Sequence, residues 1–319
     1  MAELLLHHYP TSPFSEKIRL ILGYKQLAWQ SVRVPRVMPK PDVVALTGGY
    51  RKTPFLQIGS HIYCDTALIC DVLEHLQPEP TLYPAHQKGL ARILAQWADD
   101  KLFWAAMAWN FSPAGAAQMF GGGPPEQWGP VAKAFGEDRS KMRVAVPRNP
   151  PADAAAAYKS YLRRLASMLE TQPYLLGNAP CIADFAAYHP LWFTRTQTSV
   201  MAGILAATPA VLAWMDRMAA IGHGGPGAEI DAEAAIALCA ASPDRGAVLA
   251  DQPFQDEHGF ALGSRVSIFS DSFGPEPSTG ELVAATRMHY TIRRFDERAG
   301  VVHVHFPRIG YVLKKEETT

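Results

Sequence analysis

The chain has 319 residues, 48% of them hydrophobic, and its 30 Lys and Arg residues balance 30 Asp and Glu residues. This length predicts about two domains, with three possible, and the hydrophobic content excludes disorder of the whole chain. A net charge of zero argues against a protein that coats nucleic acid. The four cysteines, Cys64, Cys70, Cys181 and Cys239, include no CxxC pair, which argues against a zinc ribbon or a paired redox site and indicates a reducing, cytoplasmic compartment.

Two other classes of segment are not expected. The start, Met1-Ala2-Glu3, has neither the basic nor the apolar part of a secretory signal. The most apolar stretch, residues 200–215, contains Thr208 and Pro209 and is too short to span a bilayer. We therefore expect no membrane partner.

Residues 1–77 predict a small α/β domain. Strands are predicted at 4–9, 29–34, 54–58 and 61–64, and helices at 13–27 and 66–76, with a further short helix before the third strand. The resulting order, β-α-β-(α)-β-β-α, is typical of a sheet with mixed strand directions.

A proline-rich linker at 78–84 precedes a change to helical periodicity. Helices are predicted at 87–107, 152–171, 182–198, 209–221 and 228–241. Residues 85–242 therefore predict an all-α domain. It is interrupted by a long loop, residues 112–151, whose glycine and proline clusters favour a segment without regular structure, of the lid, binding-loop or mobile type.

The helical period is lost after residue 259. Strands are predicted at 265–269, 281–285, 288–295 and 301–306, separated by turn-forming residues. Residues 243–319 therefore predict a third module, a small antiparallel β-sheet or barrel.

Three short segments place polar groups where a strand meets a turn or a helix. Ser12 before Pro13 is either a simple N-cap or a hydroxyl that holds an anion, such as a thiolate, at the positive end of a helix. Pro54 is either a cis proline that exposes the main chain of Thr53 to an extended ligand or an edge-strand proline. Asp65 or Thr66 opens a helix, and either caps it or helps its N–H groups bind a carboxylate.

Taken together, these segments resemble the glutathione transferase family, in a serine-type form with a tau-, omega- or zeta-like N-terminal domain. Ser12-Pro13-Phe14 is similar to the Ser-Pro-Phe of plant-type enzymes and to the Cys-Pro-Phe of the omega branch, with Ser for Cys. The other similar segments are Lys52-Thr53-Pro54 (Lys-Val-Pro), Asp65-Thr66 (Glu-Ser), the run 40–46 and the helix-capping box at 176–184. The resemblance covers about three quarters of the chain.

The resemblance implies a thioredoxin-like N-terminal domain (1–77) and a helical substrate domain (85–242), with the β module 243–319 as an addition. It also implies bound glutathione as co-substrate and no metal. Ser12 would lie near the sulfur as the catalytic residue. The implied glutathione-binding residues are Phe14, Lys40, Lys52, Thr53, Pro54, Asp65 and Thr66.

Within this set, the Thr53 main chain would pair with the cysteinyl part. Asp65 and Thr66 would hold the γ-glutamyl end, and Lys40 and Lys52 would lie near the glycyl carboxylate.

The sequence departs from the family pattern in three places. Cys181 replaces the usual Ser or Thr of the capping box, and a thiol is a weak acceptor. Residues 47–50, Thr-Gly-Gly-Tyr, replace the usual Asn-Pro before the cis proline. Neither 112–151 nor 243–319 has a counterpart in the ordinary two-domain enzymes.

The function predicted is a cytoplasmic, homodimeric glutathione transferase in which Ser12 activates the thiol for attack on a small hydrophobic electrophile. Two alternatives remain open. One is a non-catalytic binding or assembly protein that uses the β module to dock a partner, and the other is a glutathione-dependent isomerase or dehalogenase.

Overall fold

The computed structural model describes residues 3–121, 124–143, 150–243, 246–249, 253–255 and 257–316. Parts of the segment predicted as a loop (122–123 and 144–149) and parts of the approach to the C-terminal strands (244–245, 250–252 and 256) lie outside these residues. No helix of the described chain is long and apolar enough to cross a membrane.

The N-terminal region has the thioredoxin-like order predicted from the sequence. Its elements are β1 (Leu5–His8), α1 (Pro13–Tyr24), β2 (Trp29–Arg33), α2 (Pro41–Thr47), β3 (Phe55–Ile58), β4 (His61–Cys64) and α3 (Thr66–Leu76). Strand β1 lies parallel to β2 and antiparallel to β3, which in turn lies antiparallel to β4. The sheet therefore has the mixed strand directions that the sequence predicts.

The middle of the chain is helical. The elements are α4 (Lys88–Trp97), α5 (Phe103–Asn110), α6 (Pro113–Phe120), α7 (Pro125–Lys141), α8 (Pro151–Met168), α9 (Ile182–Trp192) and α10 (Pro209–Ala219). A π-helical turn, Ala98–Leu102, joins α4 to α5, so the predicted helix 87–107 is one continuous run with a change of pitch. The capping box before α9 is formed: the Cys181 N–H donates to Asp184, which also accepts from the buried Trp214 indole.

The segment 112–151 is a correction to the sequence analysis, because its described residues are mostly helical and not a loop without regular structure. Helices α6 and α7 occupy it, and its prolines start them: Pro113 and Pro125 lie at first helical positions, where no backbone N–H is needed. Gly115 lets α6 approach the end of α5, since a Cβ atom there would lie 1.9 Å from the Asn110 carbonyl oxygen. In this segment glycine allows two helices to approach closely, and proline marks where a helix begins.

The last third of the chain adds strands at both sides of the N-terminal sheet. The elements are β5 (Pro226–Ile230), α11 (Ala232–Ala241), β6 (Arg265–Ser270), β7 (Ser278–Ala285), β8 (His289–Asp296), β9 (Gly300–Pro307) and β10 (Tyr311–Lys315). The four C-terminal strands predicted from the sequence are present, and β10 is a fifth. The predicted helix at 228–241 begins four residues later, because 226–230 pairs with β2 as a strand.

These strands continue the N-terminal sheet. Across the described residues the strand order is β10-β6-β7-β8-β9-β4-β3-β1-β2-β5, with β9 parallel to β4. The two regions share an apolar core in which Phe55 and Ile62 of the N-terminal strands join Ile292 and Val304 of the C-terminal ones. The C-terminal antiparallel region is thus packed directly beside the strands that carry the candidate site.

Candidate functional site

Strand register brings three of the predicted segments to one edge of the sheet. His7 of β1 lies opposite Phe55 of β3, and Phe55 lies opposite Cys64 of β4. The end of β1, the start of β3 and the end of β4 are therefore neighbours. The Thr53–Pro54 bond, which is cis, directly precedes β3, Asp65 directly follows β4, and Ser12 closes the turn after β1, with its N–H donating to the Tyr9 carbonyl oxygen at 3.1 Å.

Ser12 begins α1 as its N-cap. Its Oγ accepts a hydrogen bond from the Ser15 N–H at 3.2 Å, and the side chain is buried. Because the cap uses Oγ as an acceptor, the hydroxyl hydrogen is available to another group. The neighbouring Thr11 hydroxyl is buried without a hydrogen-bond partner among the described residues. Two hydroxyl groups thus lie at the positive end of α1.

Asp65 begins α3 in a left-handed conformation, with φ of 76°. One carboxylate oxygen accepts from the Ala67 N–H at 3.0 Å, and the other accepts from the Tyr311 hydroxyl at 3.0 Å. The Asp65 N–H donates to the Tyr50 hydroxyl at 3.1 Å. A non-glycine residue with positive φ is held only where its surroundings determine it, and such residues concentrate at binding sites.

Thr66 is connected to the helical region through a chain of polar groups, of which Lys17 and His189 are buried and Asp99 is half-buried. The Lys17 ammonium on α1 donates to Thr66 Oγ1 at 3.3 Å and to an Asp99 oxygen at 2.6 Å. The other Asp99 oxygen lies 2.9 Å from Nε2 of His189, on α9. Phe14 packs beside this chain, with its ring 4.6 Å from the His189 ring.

Electrostatics favour the charged forms of the Lys17–Asp99 pair. Burial alone would lower the pKa of Lys17 and raise that of Asp99. Their mutual attraction outweighs burial, so the pKa of Lys17 is raised and that of Asp99 is lowered. Burial lowers the pKa of His189, which favours its neutral form. A fixed positive charge therefore lies directly behind Thr66.

The two predicted lysines are placed differently. Lys40 is buried, and its Nζ donates to the Arg51 carbonyl oxygen at 3.1 Å, so it supports the loop before the cis proline. The Lys52 Nζ lies over two rings, 5.4 Å from the centre of Tyr50 and 4.8 Å from that of Tyr311. Burial lowers the pKa of Lys52.

A segment of the C-terminal region that lies beside the candidate site was not predicted from the sequence. Residues 271–277, between β6 and β7, cross towards the helical region, where Phe273 contacts the Trp104 ring at 5.1 Å. The Gly274 N–H donates to the Met142 carbonyl oxygen at 2.7 Å, just after α7. The Arg51 guanidinium connects α7 and the 271–277 segment to the N-terminal region. It pairs with Asp138 of α7 at 2.6 Å and with Glu276 at 2.5 Å.

One feature of the sequence is explained by the contact with this C-terminal segment. Gly49 stands in the segment that departs from the family pattern, and a Cβ atom there would lie 2.0 Å from the Pro277 carbonyl oxygen. Tyr50 beside it donates its N–H to Ser278 at 3.1 Å. The unusual Gly-Gly-Tyr run is therefore explained by the C-terminal strands that pack on it. Nothing local marks Tyr311, which lies 246 residues from Asp65 in the chain.

The described residues include no group of three or more His, Cys, Asp and Glu side chains placed to hold a metal ion. The four cysteines are free and buried, and burial raises the pKa of the Cys70 and Cys181 thiols to about 12. The chemistry available at the sheet edge is therefore that of hydroxyl groups, one carboxylate, lysine ammonium groups and the N-termini of α1 and α3.

Comparisons with known proteins agree with this fold. Residues 6–81 match the glutathione S-transferase N-terminal domain and residues 142–217 match the glutathione S-transferase C-terminal domain. The solved structure of a GST-like protein from Pseudomonas syringae is 40% identical, with a TM-score of 0.79 over 99% of this chain and 100% of that one. This match extends through the C-terminal strands.

Two more distant relatives were found. FtsZ-localized protein A of Caulobacter vibrioides is 27% identical over 192 residues, which is 58% of this chain and 74% of that protein. A glutathione S-transferase from Methylobacterium radiotolerans, solved in complex with glutathione sulfonate, is 17% identical, with a TM-score of 0.50 over 70% of this chain and 92% of that one. The latter likeness shows the fold alone.

Proposed function

Because the chain belongs to the glutathione S-transferase family, we propose that it binds glutathione along the edge formed by Ser12, Thr53 and Asp65 and activates the thiol for transfer to an electrophile. The observation that carries this proposal is the state of Ser12. Its oxygen is used by the cap, its hydrogen is available, and it lies at the positive end of α1.

The chemistry asked of Ser12 is modest. A free thiol with a pKa near ~8.5 is only a few per cent thiolate at neutral pH. A hydroxyl donor and a helix N-terminus both stabilise the thiolate. A fall of two pKa units corresponds to about 2.7 kcal/mol. The thiol proton leaves to solvent, and Ser12 donates its hydrogen bond to the thiolate. The sulfur then attacks the electrophilic carbon. In a substitution the leaving group departs with the electron pair of its bond, and in an addition the electrons of the broken π bond take up a proton from solvent.

Asp65 and Thr66 bind the γ-glutamyl end in this proposal. Thr66 Oγ1 accepts from Lys17, which has no acceptor atom, so the Thr66 hydrogen is left for the ligand's carboxylate. The Asp65 carboxylate takes the ligand's ammonium group. The Thr53 main chain pairs with the cysteinyl part beside Pro54 and Phe14. Lys52 attracts the glycyl carboxylate, with Lys40 behind it.

One observation favours a second candidate function, a non-catalytic binding protein. The Tyr311 hydroxyl from the C-terminal sheet already donates to Asp65, the residue proposed for the ligand's ammonium group. The similarity to FtsZ-localized protein A points the same way, since its name describes a location and not a reaction.

Glutathione-dependent isomerisation or dehalogenation would use the same activated thiol. The proposal also includes a cytoplasmic location and a homodimeric state.

Calorimetric titration of the full chain with reduced glutathione tests the proposal. We expect binding in the micromolar to millimolar range, abolished by Asp65→Ala. Asp231→Ala is the matched control, because Asp231 is also an N-cap aspartate, at α11, and is exposed. It should bind as the unmodified protein does.

Thiolate absorbance of the bound glutathione, followed against pH, tests Ser12 without a known electrophile. Ser12→Ala should raise the thiol pKa by one to two units, about 1.4 to 2.7 kcal/mol, with little change in affinity. No heat and no thermal shift at millimolar glutathione would favour the non-catalytic candidate. Binding with an unchanged thiol pKa in Ser12→Ala would remove Ser12 from the mechanism.

A further inference from the structure

An arginine that the proposed function does not use lies near the same edge of the sheet. Arg36 follows β2, and β2 runs parallel to β1 with Arg33 opposite His8. The segment after β2 therefore lies beside the turn that leads to Ser12. Helix α7 packs on this segment, since the Met38 N–H donates to Asp138 at 3.3 Å and Arg139 donates to the Arg36 carbonyl oxygen at 2.8 Å.

The Arg36 guanidinium faces an aromatic cluster. Its central carbon lies 5.6 Å from the ring centres of both Phe120 and Phe135. Phe135 also contacts Phe111, with ring centres 5.8 Å apart and nearly parallel planes. Phe111 remains 36% exposed, and Phe120 and Phe135 are half-buried. The cluster, formed by Phe111, Phe120 and Phe135, thus retains exposed aromatic surface beside a cation.

Arg36 differs from its neighbour Arg139 in its partners. Arg139 lies on Phe135 at 4.4 Å and pairs with Asp138. Nη2 of Arg36 is buried without a hydrogen-bond partner, and across the described residues the Arg36 side chain forms no ion pair. Leaving a buried donor of a charged group unsatisfied is unfavourable, and aromatic contact compensates this only in part.

The charge around Arg36 is also unbalanced. Four cationic residues, Arg36, Lys40, Arg51 and Arg139, gather here with two carboxylates, Asp138 and Glu276. Burial is the main cause that lowers the pKa of Lys40 to about 8; the charges of Arg139 and Arg51 lower it further, and those of Asp138 and Glu276 raise it. The site therefore favours an anion.

We propose that Arg36 and the Phe111–Phe120–Phe135 cluster bind a small aromatic organic anion, a carboxylate or sulfonate, with its ring on the phenylalanines and its anionic group on the guanidinium. This inference rests on the proposed function in one respect: it makes such an anion the electrophile, with the glutathione thiolate attacking its ring and displacing a leaving group such as chloride. The binding itself requires only the residues named.

Two fluorescent probes that differ mainly in charge test the binding without glutathione. They are 8-anilinonaphthalene-1-sulfonate, an aromatic anion, and N-phenyl-1-naphthylamine, its neutral analogue. Arg36→Met keeps an unbranched apolar side chain and removes the charge. We expect it to raise the Kd of the sulfonate about tenfold, the effect of losing one charge-assisted hydrogen bond, and to leave the neutral probe within about twofold.

Further variants separate charge from folding and from non-specific attraction. Arg36→Lys should recover part of the sulfonate affinity. Phe120→Leu should weaken both probes. Arg163→Met, at an exposed arginine of α8, is the matched control and should bind both probes as the unmodified protein does. Circular dichroism of each variant confirms that it is folded.

The possible outcomes are distinct. Equal sulfonate affinity in Arg36→Met and the unmodified protein would overturn the anion site. Arg36-dependent sulfonate binding in a protein that fails to bind glutathione would retain the anion site and reject the proposed function. If both ligands bind, turnover of 4-chloro-3-nitrobenzoate should exceed that of its methyl ester, and Arg36→Met should abolish this preference. Faster turnover of the ester would reject the anion as electrophile.

Discussion

The N-terminal region packs on the helical region and on the C-terminal sheet through apolar cores, but the buried polar groups at these two joins are of opposite kinds. At the join with the helical region the polar groups are charged: the Lys17 ammonium of α1 lies 2.6 Å from the Asp99 carboxylate. On its β4 edge, the N-terminal sheet meets the C-terminal sheet through a strand ladder and imidazole rings. Nδ1 of His61 on β4 lies 3.0 Å from Nε2 of His305 on β9.

The pKa values show how each join accommodates buried polar groups. The ion pair is kept charged, since the pKa of Lys17 is raised and that of Asp99 is lowered. The imidazoles of His289 and His305 are kept neutral: burial and then the neighbouring histidines hold the pKa of His305 well below its usual range, and burial lowers the pKa of His289 to about 4. The contribution of a buried ion pair to the free energy of unfolding is lost when one partner is removed, whereas that of a neutral buried base is lost when the pH falls.

The ion pair and the neutral imidazoles should therefore respond to acid in different pH windows. A histidine whose folded pKa is depressed contributes stability that is complete above the unfolded pKa of about 6.5 and is lost as pH falls towards the folded value. Asp99 also has a depressed pKa, but its unfolded value is about 3.9, so its contribution is lost only below about pH 4. Acid should therefore protonate the buried imidazoles, including that of His189 beside Asp99, before it breaks the Lys17–Asp99 ion pair.

The largest expected effect is on the charged join. Asp99→Ala leaves Lys17 buried without its counter-ion, and we expect the free energy of unfolding to fall by about 3 to 5 kcal/mol. Urea denaturation at pH 7 measures it. Replacing both partners, as Lys17→Met with Asp99→Leu, should restore much of the loss.

The matched control is Glu229→Ala, which breaks an exposed pair with Arg33 at 2.7 Å. Exposed pairs contribute about 0 to 1 kcal/mol, so little change is expected. If Asp99→Ala proved as harmless as Glu229→Ala, the charged join would not hold the two regions together.

The next effect is the pH dependence of the neutral join. Between pH 6.5 and 4.5, His289 alone should reduce the free energy of unfolding by about 2 to 3 kcal/mol, given its pKa of about 4. His289→Asn keeps a side chain able to bind Thr286 and should flatten the pH profile by that amount. His75→Asn, at an exposed position on α3, should not. Equal slopes for the two variants would contradict the assignment.

The smallest expected effect concerns the contact of the C-terminal sheet with the proposed glutathione site. Tyr311→Phe removes the hydroxyl that donates to Asp65 and should reduce the free energy of unfolding by about 1 kcal/mol. Because it frees one Asp65 oxygen, glutathione affinity should be retained or increased. Tyr161→Phe, in the helical region, is the control. A complete loss of glutathione binding in Tyr311→Phe would show that the C-terminal sheet supplies the site and does not merely cover it.

Most of the N-terminal elements were predictable because their signals are local. Ser12 before Pro13 combines a cap with a first-turn proline, and Asp65 before an apolar run predicts a second helix start. The alternation of short strands and turns after residue 259 likewise predicted four strands. Helices α6 and α7 were missed because the glycine and proline clusters at 121–125 and 147–151 suggested a loop, whereas Pro113 and Pro125 start the two helices and Pro130 is tolerated inside α7.

The sequence by itself determined the strands, helices and caps of the N-terminal region, most helices of the middle region and four of the C-terminal strands, together with the residues that lie at the ends of β1, β3 and β4. Only the tertiary structure decided that β9 pairs with β4, that Tyr311 reaches Asp65 and that Arg36 faces the rings of α6 and α7. Capping and periodicity act over three or four residues, so they are visible in the chain. Strand pairing and aromatic contact join residues far apart in sequence. The sequences of the loops between them do not specify which strand or which helix face the next element will contact.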